Sequence, residues 1–535
     1  MGEDPMSGPD IACDVLIAGA GPVGEVLALL LARQGVDVLI LERWAQPYPL
    51  PRAVAISHDV LRVLKSLELG PTLDALLEPW GQPGQRFLYQ DARGEPLTES
   101  RYLPDSESGH PQMCGFSQPE LERLLDRRVD AEPLVRQCRG MSLVSWNTDG
   151  DWVTALAEPH DGLAAIPGGA LRRIRASYLV GCDGANSTVR GLLGIELTDL
   201  GFDRDWLVVD VVLGDSAPRL PYASQHLDPA RPTTLVPAGP GRRRWEFMVM
   251  PSDSEAVLNT DQGAWRLLAP WDVHPGNATL VRRARYTFRA RWANRWREHR
   301  VVLAGDAAHQ MPPFLGQGFN SGIRDAANLA WRLALLVRGL AADSLLDDYA
   351  TERLGNVRGI VEESARIGEL ICTIDPVKAE LRNAQLRQHR RIGTARVSWP
   401  ISGGTVHSDG SGGALGPQAR VGRGDSDALL DTFLPRPAFV LLGRAEDPAQ
   451  ALTEPTRTAW STIGGLSAHF GADGLVDRDG TYARWFSNVG AEIALIRPDH
   501  HVFGTSTGPE SANHLVADLL SQLQPRWADN LSTTG

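Results

Sequence analysis

The amino-acid sequence predicts an α/β fold with a parallel-sheet main domain, an inserted antiparallel sheet and a smaller C-terminal α/β domain. Three observations carry this prediction. A strand runs through a glycine-rich turn into an apolar helix near the N-terminus. Several strand-like runs follow one another between residues 201 and 280, and a stretch rich in glycine, serine and proline at 396–424 precedes a last compact region. Alternating strands and helices are typical of parallel sheets, and successive strands are typical of antiparallel ones.

Length and composition exclude several classes of protein. The chain has 535 residues, 43% of them hydrophobic and 22% charged, which suits a globular protein of about three or four domains. A formal net charge of −12 argues against a nucleic-acid partner. Five widely spaced cysteines without a CxxC pair predict neither a disulfide framework nor a metal site, and they fit a reducing cytoplasm. The sequence shows no basic leader and no bilayer-length apolar run, so we expect no membrane partner.

The first strand-turn-helix unit has the pattern of a dinucleotide-binding site. A strand predicted at 13–18 leads into GAGPVG at 19–24 and then into an apolar-periodic helix over 26–34. A second strand at 37–41 ends in Glu42, 18 residues beyond the last glycine of the turn. Such glycines allow a tight turn, the approach of a pyrophosphate and close helix packing, while the acid can bind a ribose hydroxyl. The unit therefore predicts a Rossmann-type domain whose binding residues include Gly19, Gly21, Gly24 and Glu42.

Charged residues flank this unit. Arg43 follows the acid directly, and Arg52 lies at the end of the next loop. An arginine there can pair with a pyrophosphate through two hydrogen bonds, although a plain surface cation is the alternative. Glu25 places a carboxylate in the first turn of the helix, which suits the helix dipole. Because it would add negative charge beside a pyrophosphate, we expect its side chain to point away.

The middle of the chain alternates helices with strands. Helices are predicted at 58–67 and 118–130, and a hairpin at 86–96 turns at Ala92, Arg93 and Gly94. Antiparallel strands at 143–157 and 171–180 lead into a second Asp-Gly turn, CDGANSTVR at 182–190. The inserted sheet is predicted from strand-like runs at 206–213, 233–236 and 245–250. The stretch at 281–290 is predicted to return the chain to the main domain.

A third turn of this kind, at 301–325, organises the whole chain. A short apolar strand ends in Gly305 and Asp306, and a Pro/Gly-rich loop then leads into a long helix that Gly339 ends, with Asn320 or Ser321 as its predicted N-cap. Gly316 and Gly318 let the backbone approach a ligand closely, and the helix N-terminus presents free N–H groups to it. A flat ring that becomes anionic, such as a reduced flavin, suits this loop, and Asp306 can accept bonds from sugar-like hydroxyls.

The remaining chain is predicted to be helical at 344–372 and up to about 391, with strands at 439–442 and 493–496 and a hairpin turn at 477–480. The predicted division of the chain is a disordered tail at 1–10, a main domain at 11–200 and 281–395, an inserted substrate-binding sheet at 201–280, a linker at 396–424, a C-terminal domain at 425–527 and a tail at 528–535.

Taken together, GAGPVG with Glu42, CDGANSTVR and GDAAHQMPPFLGQGFNSGIRD resemble the single-component FAD-dependent aromatic hydroxylases of the para-hydroxybenzoate hydroxylase fold. The segments RRRWEFMVMP, DRDGTYARWF and ALIRPDHHV resemble the 3-(3-hydroxyphenyl)propionate hydroxylase branch, which implies a thioredoxin-like C-terminal domain. The last cysteine of this chain is Cys372, so we expect that domain to have no redox activity. Glu25 departs from the leucine usual in the family after the third glycine.

The resemblance implies FAD as cofactor and NADH or NADPH as co-substrate, without a second dinucleotide fold. It assigns the ADP half of FAD to the first glycine turn, Arg52 to the pyrophosphate and Asp306 to the ribityl chain. The full set of implied FAD-binding residues is Gly19, Gly21, Gly24, Glu42, Arg43, Arg52, Gln118, Asp183, Gly184, Arg190, Gly305, Asp306, Pro313, Gly316, Gly318, Phe319 and Asn320.

The implied reaction hydroxylates a phenolic aromatic substrate with O2 through a flavin C4a-hydroperoxide, while the protein positions the ring and excludes water. The residues do not name a base. His309 is expected to be structural. Tyr222, Gln225 and His226 are weak candidates beside their alternative as ordinary sheet residues, and Arg244 is a further weak candidate. Other hypotheses are a Baeyer–Villiger oxygenase or hydroxylase of a polycyclic metabolite, and a flavin-binding protein without turnover. One GxSxG match at 504–508 is interpreted as a chance turn, and no HExxH or CxxC indicates a metal.

The strand predicted over WEFMVM offers two candidate walls for the substrate. Trp245, Phe247 and Val249 share one face and Glu246, Met248 and Met250 the other, and we expect one of them to cover the flavin as a largely apolar wall. Arg244 can meet a substrate carboxylate, with a solvated edge cation as the alternative. The branch resemblance favours a 3-hydroxyphenylpropionate-like acid. A homodimer is possible, and the sequence does not choose the nucleotide.

Overall fold

The computed structural model describes residues 11–47, 52–388, 392–394, 399–434, 436–508 and 510–523. The predicted tails at 1–10 and 528–535 lie outside these residues.

The N-terminal part builds most of a mixed sheet whose core is parallel. Its elements are β1 Ile11–Ala18, α1 Pro22–Ala32, β2 Val38–Glu42, β3 Ala55–Ser57, α2 His58–Lys65, α3 Gly70–Ala75, β4 Leu77–Pro79, β5 Phe87–Gln90, β6 Pro96–Arg101, β7 Met113–Phe116, α4 Gln118–Asp130, β8 Val135–Arg139, β9 Met141–Asp149, β10 Trp152–Pro159, β11 Arg172–Gly181 and α5 Thr188–Leu192. The predicted helix at 118–130 and the hairpin formed by β5 and β6 are confirmed.

In this sheet β1 lies between β2 and β11, and all three run parallel. β8 extends the parallel set beyond β2, while β10 and β9 pair antiparallel at the other side of β11. Strand β1 is buried on both faces, as its continuous apolar run from Val15 to Ala18 requires. Because the strands are parallel, their carboxyl ends meet at one edge, where the glycine turn lies.

The second part forms an antiparallel sheet. Its elements are β12 Leu197–Leu213, β13 Ala223–His226, β14 Thr233–Pro237, β15 Arg242–Met248, α6 Glu255–Leu258, α7 Asp261–Leu268 and β16 Ala278–Ala293. The strand order is β16-β12-β15-β14-β13-β5-β6, and two short strands from later in the chain, His309–Gln310 beside β16 and Ile392–Thr394 beside β6, complete a nine-stranded sheet. The hairpin β5–β6 joins this sheet because β13 pairs with β5 in parallel. The start of β12 and most of β16 also lie outside the predicted segment 201–280, so the stretch at 281–290 belongs to this sheet, where it pairs with β12.

The third part returns the chain to the first sheet and then becomes helical. Its elements are β17 Arg297–Glu298, β18 Val301–Leu303, β19 His309–Gln310, α8 Gly318–Val337, α9 Leu345–Ile371, α10 Pro376–Gln388 and β20 Ile392–Thr394. The predicted N-cap of α8 is wrong: the helix begins at Gly318 and Gln317 is the cap residue. Asn320 and Ser321 lie buried in the first turn of the helix. The side chain of Asn320 does not cap the helix, because it binds the N–H of Ser57 and the carbonyl oxygen of Gly316.

The C-terminal part has its own sheet. Its elements are β21 Arg420–Arg423, β22 Ser426–Leu429, β23 Val440–Gly443, α11 Glu454–Thr462, β24 Leu466–His469, β25 Val476–Asp477, α12 Thr481–Val489, β26 Ile493–Ile496, β27 Val502–Ser506 and α13 Glu510–Leu523. The order β24-β23-β26-β27, with the first pair parallel and the others antiparallel, is compatible with a thioredoxin-like domain. The hairpin turn predicted at 477–480 is wrong, because Asp477 accepts from the N–H groups of Thr481 and Ala483 and so caps α12.

A buried ion cluster, the Glu352 cluster, joins this domain to α8 and α9. One carboxylate oxygen of Glu352 accepts from Arg332 and Arg497, each at 2.8 Å. The other accepts from Arg497 and Asn328, also at 2.8 Å. Asp499 accepts from the same Arg497 and Asn328. The cluster therefore links the C-terminal sheet to the helix that follows the third turn. Among the described residues, no helix has the length and apolarity needed to cross a bilayer.

Candidate functional site

A cavity of about 270 Å³ lies at the carboxyl ends of β1, β2 and β11. This is the edge at which parallel sheets bind nucleotides. The predicted residues that line it are Gly19, Gly21, Glu42, Arg43, Arg52, Asp183 and Gly184. The first and second sequence motifs therefore meet at one cavity.

The glycine turn fits a ligand that lies against the backbone. Gly19 has φ +106°, and a Cβ there would lie 2.4 Å from the carbonyl oxygen of Cys182. A Cβ on Gly24 would lie 2.1 Å from the carbonyl oxygen of Gly19, so the first residue of the turn and α1 pack too closely for a side chain. Gly21 has no atom within 4 Å of such a Cβ, and it lines the cavity. The open space at Gly21 suits a pyrophosphate at the N-terminus of α1.

The acidic residues of this region have separate roles. Glu42 accepts from the N–H groups of Ala20 and Trp44, both at 2.8 Å, so its carboxylate is fixed beside the turn with further lone pairs available. Glu25 is buried, 3.4 Å from Arg139, and lies outside the cavity lining, as expected from the sequence. Burial raises the pKa of Glu25 well above its ordinary value, and Asp126 adds to that effect.

The second motif is held by its own hydrogen bonds. Asp183 accepts from the hydroxyl of Ser187, the N-cap residue of α5, at 2.5 Å and from the N–H of Val189 in the first turn of that helix at 3.0 Å. Arg190 donates to the carbonyl oxygens of Ala307 and Ala185, both at 2.9 Å. Arg190 therefore ties the second motif to the third and lies outside the lining of both cavities described here. Its predicted contact with the cofactor stays a prediction.

A larger cavity of about 450 Å³ continues from the first and shares Gly21, Arg52 and Gly184 with it. Further predicted residues that line it are Gln118, Asp306, Pro313, Gly316, Gly318 and Phe319. The Asp306 carboxylate is exposed to the cavity and has no hydrogen-bond partner within the described part of the chain. These residues fit the ribityl chain and ring of a flavin, because an acceptor for hydroxyls precedes a loop whose backbone faces the cavity.

The loop is fixed from behind. Asn320 accepts from the N–H of Ser57 at 3.0 Å and donates to the carbonyl oxygens of Ala55 and Gly316. Gly305 donates to Asp325 at 2.9 Å, and the same carboxylate oxygen lies 2.9 Å from Nε2 of His309. Asn320, Gly305 and His309 therefore shape the loop from the buried side, in keeping with the structural role expected for His309.

The wall opposite the loop differs from the expected one. Trp245 and Phe247 face away from the cavity and pack with Ala264 and Leu268 of α7. The alternate face of β15, with Arg244 and Glu246, lines the cavity. The expectation that one face of this strand forms an apolar wall is therefore wrong, because packing against α7 takes the aromatic face.

Aromatic rings still line the cavity, but they come from other segments. Trp80 and Tyr102 contact each other with ring centroids 5.0 Å apart, and Phe288 and Phe314 do so at 6.0 Å. These four rings lie on strands and loops that are far apart in sequence. Such a setting suits a flat aromatic substrate.

Arg244 is buried and ion-paired, which contradicts the alternative of a solvated edge cation. Its guanidinium donates to both oxygens of Asp210, at 2.7 and 3.0 Å, and also to the carbonyl oxygen of Arg52. Its charge is therefore matched within the sheet, and Asp210 occupies the bidentate face that a substrate carboxylate would use.

Of the weak catalytic candidates, Gln225 and Arg244 line the larger cavity, whereas Tyr222 and His226 do not. Tyr222 donates to the carbonyl oxygen of Pro79 at 3.3 Å, and His226 lies on the opposite face with Ser224, 3.1 Å from it. Glu246 and Tyr286 line the cavity and were not singled out as candidates from the sequence. The available signal was the spacing of two between Arg244 and Glu246, which places both on one face of a strand.

Comparisons with known proteins agree with this geometry. Residues 12–364 match the family model described as FAD binding domain, and residues 413–522 match the HcaD C-terminal domain. The chain is 35% identical over 525 residues to the probable NADH-specific resorcinol 4-hydroxylase of Rhodococcus jostii (strain RHA1), covering 96% of each chain. It is 32% identical to the 3-(3-hydroxy-phenyl)propionate/3-hydroxycinnamic acid hydroxylase of Mycobacterium avium (strain 104), covering 98% of this chain and 94% of that protein.

Among solved structures, the flavin-dependent monooxygenase PieE in complex with FAD and substrate matches with a TM-score of 0.82. The match covers 97% of this chain and 100% of that one at 22% identity, which supports the fold.

Proposed function

We propose that the substrate of this protein is a single-ring phenol with a second substituent meta to its hydroxyl. The chain belongs to the family of FAD-dependent aromatic hydroxylases. The observation that carries the proposal is the composition of the larger cavity. It is lined by the loop with Gly316 and Gly318, which is the predicted flavin loop, by the four aromatic rings named above, and by the charged side chains of Arg244 and Glu246. FAD and a nicotinamide nucleotide are the cofactors of this enzyme. When bound and reduced, the flavin supplies the activated oxygen derived from O2.

The residues of this chain have three tasks in that reaction. Gly21, Asp306 and the loop at Gly316 and Gly318 hold the cofactor along the two cavities. Backbone N–H groups at the start of α8 offer partial positive charge to a ring that becomes anionic. The aromatic wall orients the phenol and keeps water away from the reacting atoms.

The size and the relatives both favour a small substrate. About 450 Å³ must hold the flavin ring as well as the substrate, and pockets for one drug-sized ligand span about 300–1,000 Å³. Resorcinol bears a second hydroxyl in the meta position, and 3-(3-hydroxyphenyl)propionate bears its acid chain there. A meta-substituted phenol is therefore the shared chemistry, and the name of the first relative supports NADH as the nucleotide.

A cytoplasmic location is also part of the proposal, since all five cysteines of the chain are free. The possible homodimer stays a prediction.

A substrate panel with the purified holoenzyme tests the proposal. The panel contains resorcinol, 3-(3-hydroxyphenyl)propionate, the amide of that acid and a polycyclic phenol, each with NADH or NADPH under air. We expect coupled formation of a ring-hydroxylated product from at least one single-ring meta-substituted phenol, with NADH preferred. Turnover of the polycycle alone, or a ring-expanded ester as product, would contradict it. The acid and its amide separate a charge requirement from a requirement for the ring hydroxyl.

A further inference from the structure

We propose that Glu246 accepts the proton of the substrate's ring hydroxyl and is a catalytic residue of this enzyme. The proposal rests on the function proposed above, since it needs a phenol in the larger cavity. It assigns a base to a site in which neither the sequence motifs nor the named relatives identify one.

Glu246 lies on the sheet side of the larger cavity, which Gly316 and Gly318 also line. On β15 it pairs with Thr234 of β14 and with Val208 of β12, and its side chain is 5% exposed. It lines the larger cavity. Within the described part of the chain its carboxylate accepts no hydrogen bond, and its ion-pair contact is Arg244 at 3.9 Å. The lone pairs of a buried carboxylate are therefore available to a ligand, which is costly unless a donor fills the place.

The charges around Glu246 explain why this acid can exist in both protonation states. Arg244 lies on its own strand, Asp210 on β12, and Arg282 with Tyr286 on β16. Arg244 is bound to Asp210 through two hydrogen bonds, so it only partly compensates a charge on Glu246. Burial, and then Asp210, raise the pKa of Glu246, while Arg244 and Arg282 oppose the rise, and the result is about 7.

Arg282 adds a second unusual feature through its contact with Tyr286, which lines the cavity. Its Nη2 donates to the hydroxyl of Tyr286, whereas its Nε and Nη1 are buried without a partner among the described residues. The guanidinium thus holds the Tyr286 oxygen as an acceptor and leaves the hydroxyl hydrogen of Tyr286 able to donate toward the cavity. A phenolate oxygen placed there would meet a donor beside an acceptor for its proton.

The proton transfer balances with groups that are present. The O–H bond of the ring hydroxyl breaks, its proton binds a carboxylate oxygen of Glu246, and the electron pair stays on the ring oxygen. The phenolate then activates the ring carbon that receives oxygen. When that carbon loses its hydrogen to water as a proton and the ring becomes aromatic again, the first oxygen takes back the proton of Glu246. A phenol has a pKa near 10, so an acceptor near 7 is better matched to it than an ordinary carboxylate.

The test compares Glu246→Gln with Glu246→Asp and a matched control in the holoenzyme. The control is Glu120→Gln, which removes a carboxylate bound to Arg242 of the same strand, and neither of these two residues lines the larger cavity. Resorcinol and 3-(3-hydroxyphenyl)propionate serve as probes, each used where the parent enzyme turns it over. The readouts are FAD content, substrate dissociation constant, single-turnover hydroxylation rate and the pH dependence of that rate from pH 5.5 to 9.

We expect Glu246→Gln to keep its FAD and to lower the hydroxylation rate about 10²–10⁴-fold, the usual contribution of a general base. The parent enzyme should lose activity below about pH 7, where Glu246 becomes protonated, and Glu246→Gln should lack this acidic limb. Glu246→Asp should recover part of the rate, and Glu120→Gln should match the parent.

A rate within threefold of the parent, with the acidic limb intact, would overturn the role of Glu246. If Glu246→Gln does not fold, an unchanged rate and pH profile in Glu246→Asp would overturn it equally, because the carboxylate has then been moved without effect. A parent enzyme that hydroxylates no phenol would instead refute the proposed function, so the two failures are distinguishable.

Discussion

Glu352 and Glu246 are both buried, and both lie near arginines, yet their surroundings differ. Glu352 accepts five hydrogen bonds, from Arg332, Arg497 twice, Asn328 and the N–H of Thr405. Within the described chain Glu246 accepts none, although Arg244 is 3.9 Å away. The pKa of Glu352 is lowered, chiefly by Arg332 and Arg497 against the effect of burial, whereas burial raises the pKa of Glu246 to about 7.

The difference separates carboxylates that hold the structure together from those that can bind a ligand. A carboxylate whose acceptor capacity is filled by the protein has little left to offer a substrate. One that is unfilled and lines a cavity costs stability in the empty protein and gains a partner on binding. Glu25 shows that both conditions are needed, since one of its oxygens is also buried without a partner but lies outside the cavity lining.

The same contrast occurs between the two aspartates of the cofactor motifs. Both oxygens of Asp183 accept from its own segment, from Ser187 and Val189. Asp306 faces the larger cavity with its carboxylate unfilled by the described residues. The two aspartates have similar positions in their sequence motifs, but in the folded protein only Asp183 has both carboxylate oxygens hydrogen-bonded by the described residues.

The largest expected effect on stability follows from substitution of Glu352, the carboxylate that accepts five hydrogen bonds. Glu352→Gln should lower the free energy of unfolding by about 3–5 kcal/mol, because Arg332 would remain buried without its ion-pair partner and Arg497 would keep only Asp499. The shift of the urea midpoint measures it. Glu362→Gln on the same helix breaks only an exposed pair with Arg358 and should change stability by less than about 0.5 kcal/mol. Equal midpoints for Glu352→Gln and the control would remove the distinction between filled and unfilled acids.

Substitution of Glu246, whose carboxylate accepts no hydrogen bond from the described residues, should raise the free energy of unfolding, and the size of the increase should depend on pH. The folded pKa of Glu246 lies above its ordinary value of 4.5, at about 7, so its charged form is disfavoured by folding. Stability from this group is fully present below pH 4.5 and is lost as the pH rises to 7. A rise of this size corresponds to about 3 kcal/mol.

Glu246→Gln should therefore equal the parent in stability near pH 4.5 and exceed it by up to about 3 kcal/mol at pH 8. Urea titrations of both proteins at pH 5, 6.5 and 8 measure this difference. A variant that is less stable than the parent at pH 8 would mean that the Glu246 carboxylate is satisfied in the folded protein.

The smallest expected effect compares the two aspartates toward FAD. Asp306→Ala should weaken FAD binding by about 1.5–3 kcal/mol, or about 10- to 150-fold in dissociation constant, because a charged acceptor is lost from the cavity. Asp183→Ala should weaken it less and instead lower stability by about 1 kcal/mol, because the N–H of Val189 and the hydroxyl of Ser187 lose their acceptor. Flavin fluorescence titration of the apoproteins and their urea midpoints provide both numbers. A reversed order of FAD affinities would show that filled acceptor capacity does not exclude cofactor binding.

Much of the fold could be predicted because its signals are local. The glycine turn at 19–24 needs a positive φ at Gly19 and no Cβ at Gly24, and only glycine meets both conditions. Helix periodicity then placed α4 and α9 close to their observed bounds, whereas α1 begins at Pro22 and not at Val26, and the second strand of the predicted hairpin continues to Arg101. The meeting of three strand-end motifs at two joined cavities follows from the parallel sheet, whose carboxyl ends share an edge.

The sequence by itself determined the cofactor-binding fold, its glycine turns and the membership in a flavin hydroxylase family, because each depends on backbone conformation within a short segment. The tertiary structure decided which face of β15 meets the cavity, since a strand has two faces of equal standing until α7 covers one of them. It also decided which carboxylates receive their hydrogen bonds from the protein, since the donors around Glu352 come from residues between 328 and 497. Hydrogen-bond saturation depends on groups far apart in the chain, and only folding brings those groups together.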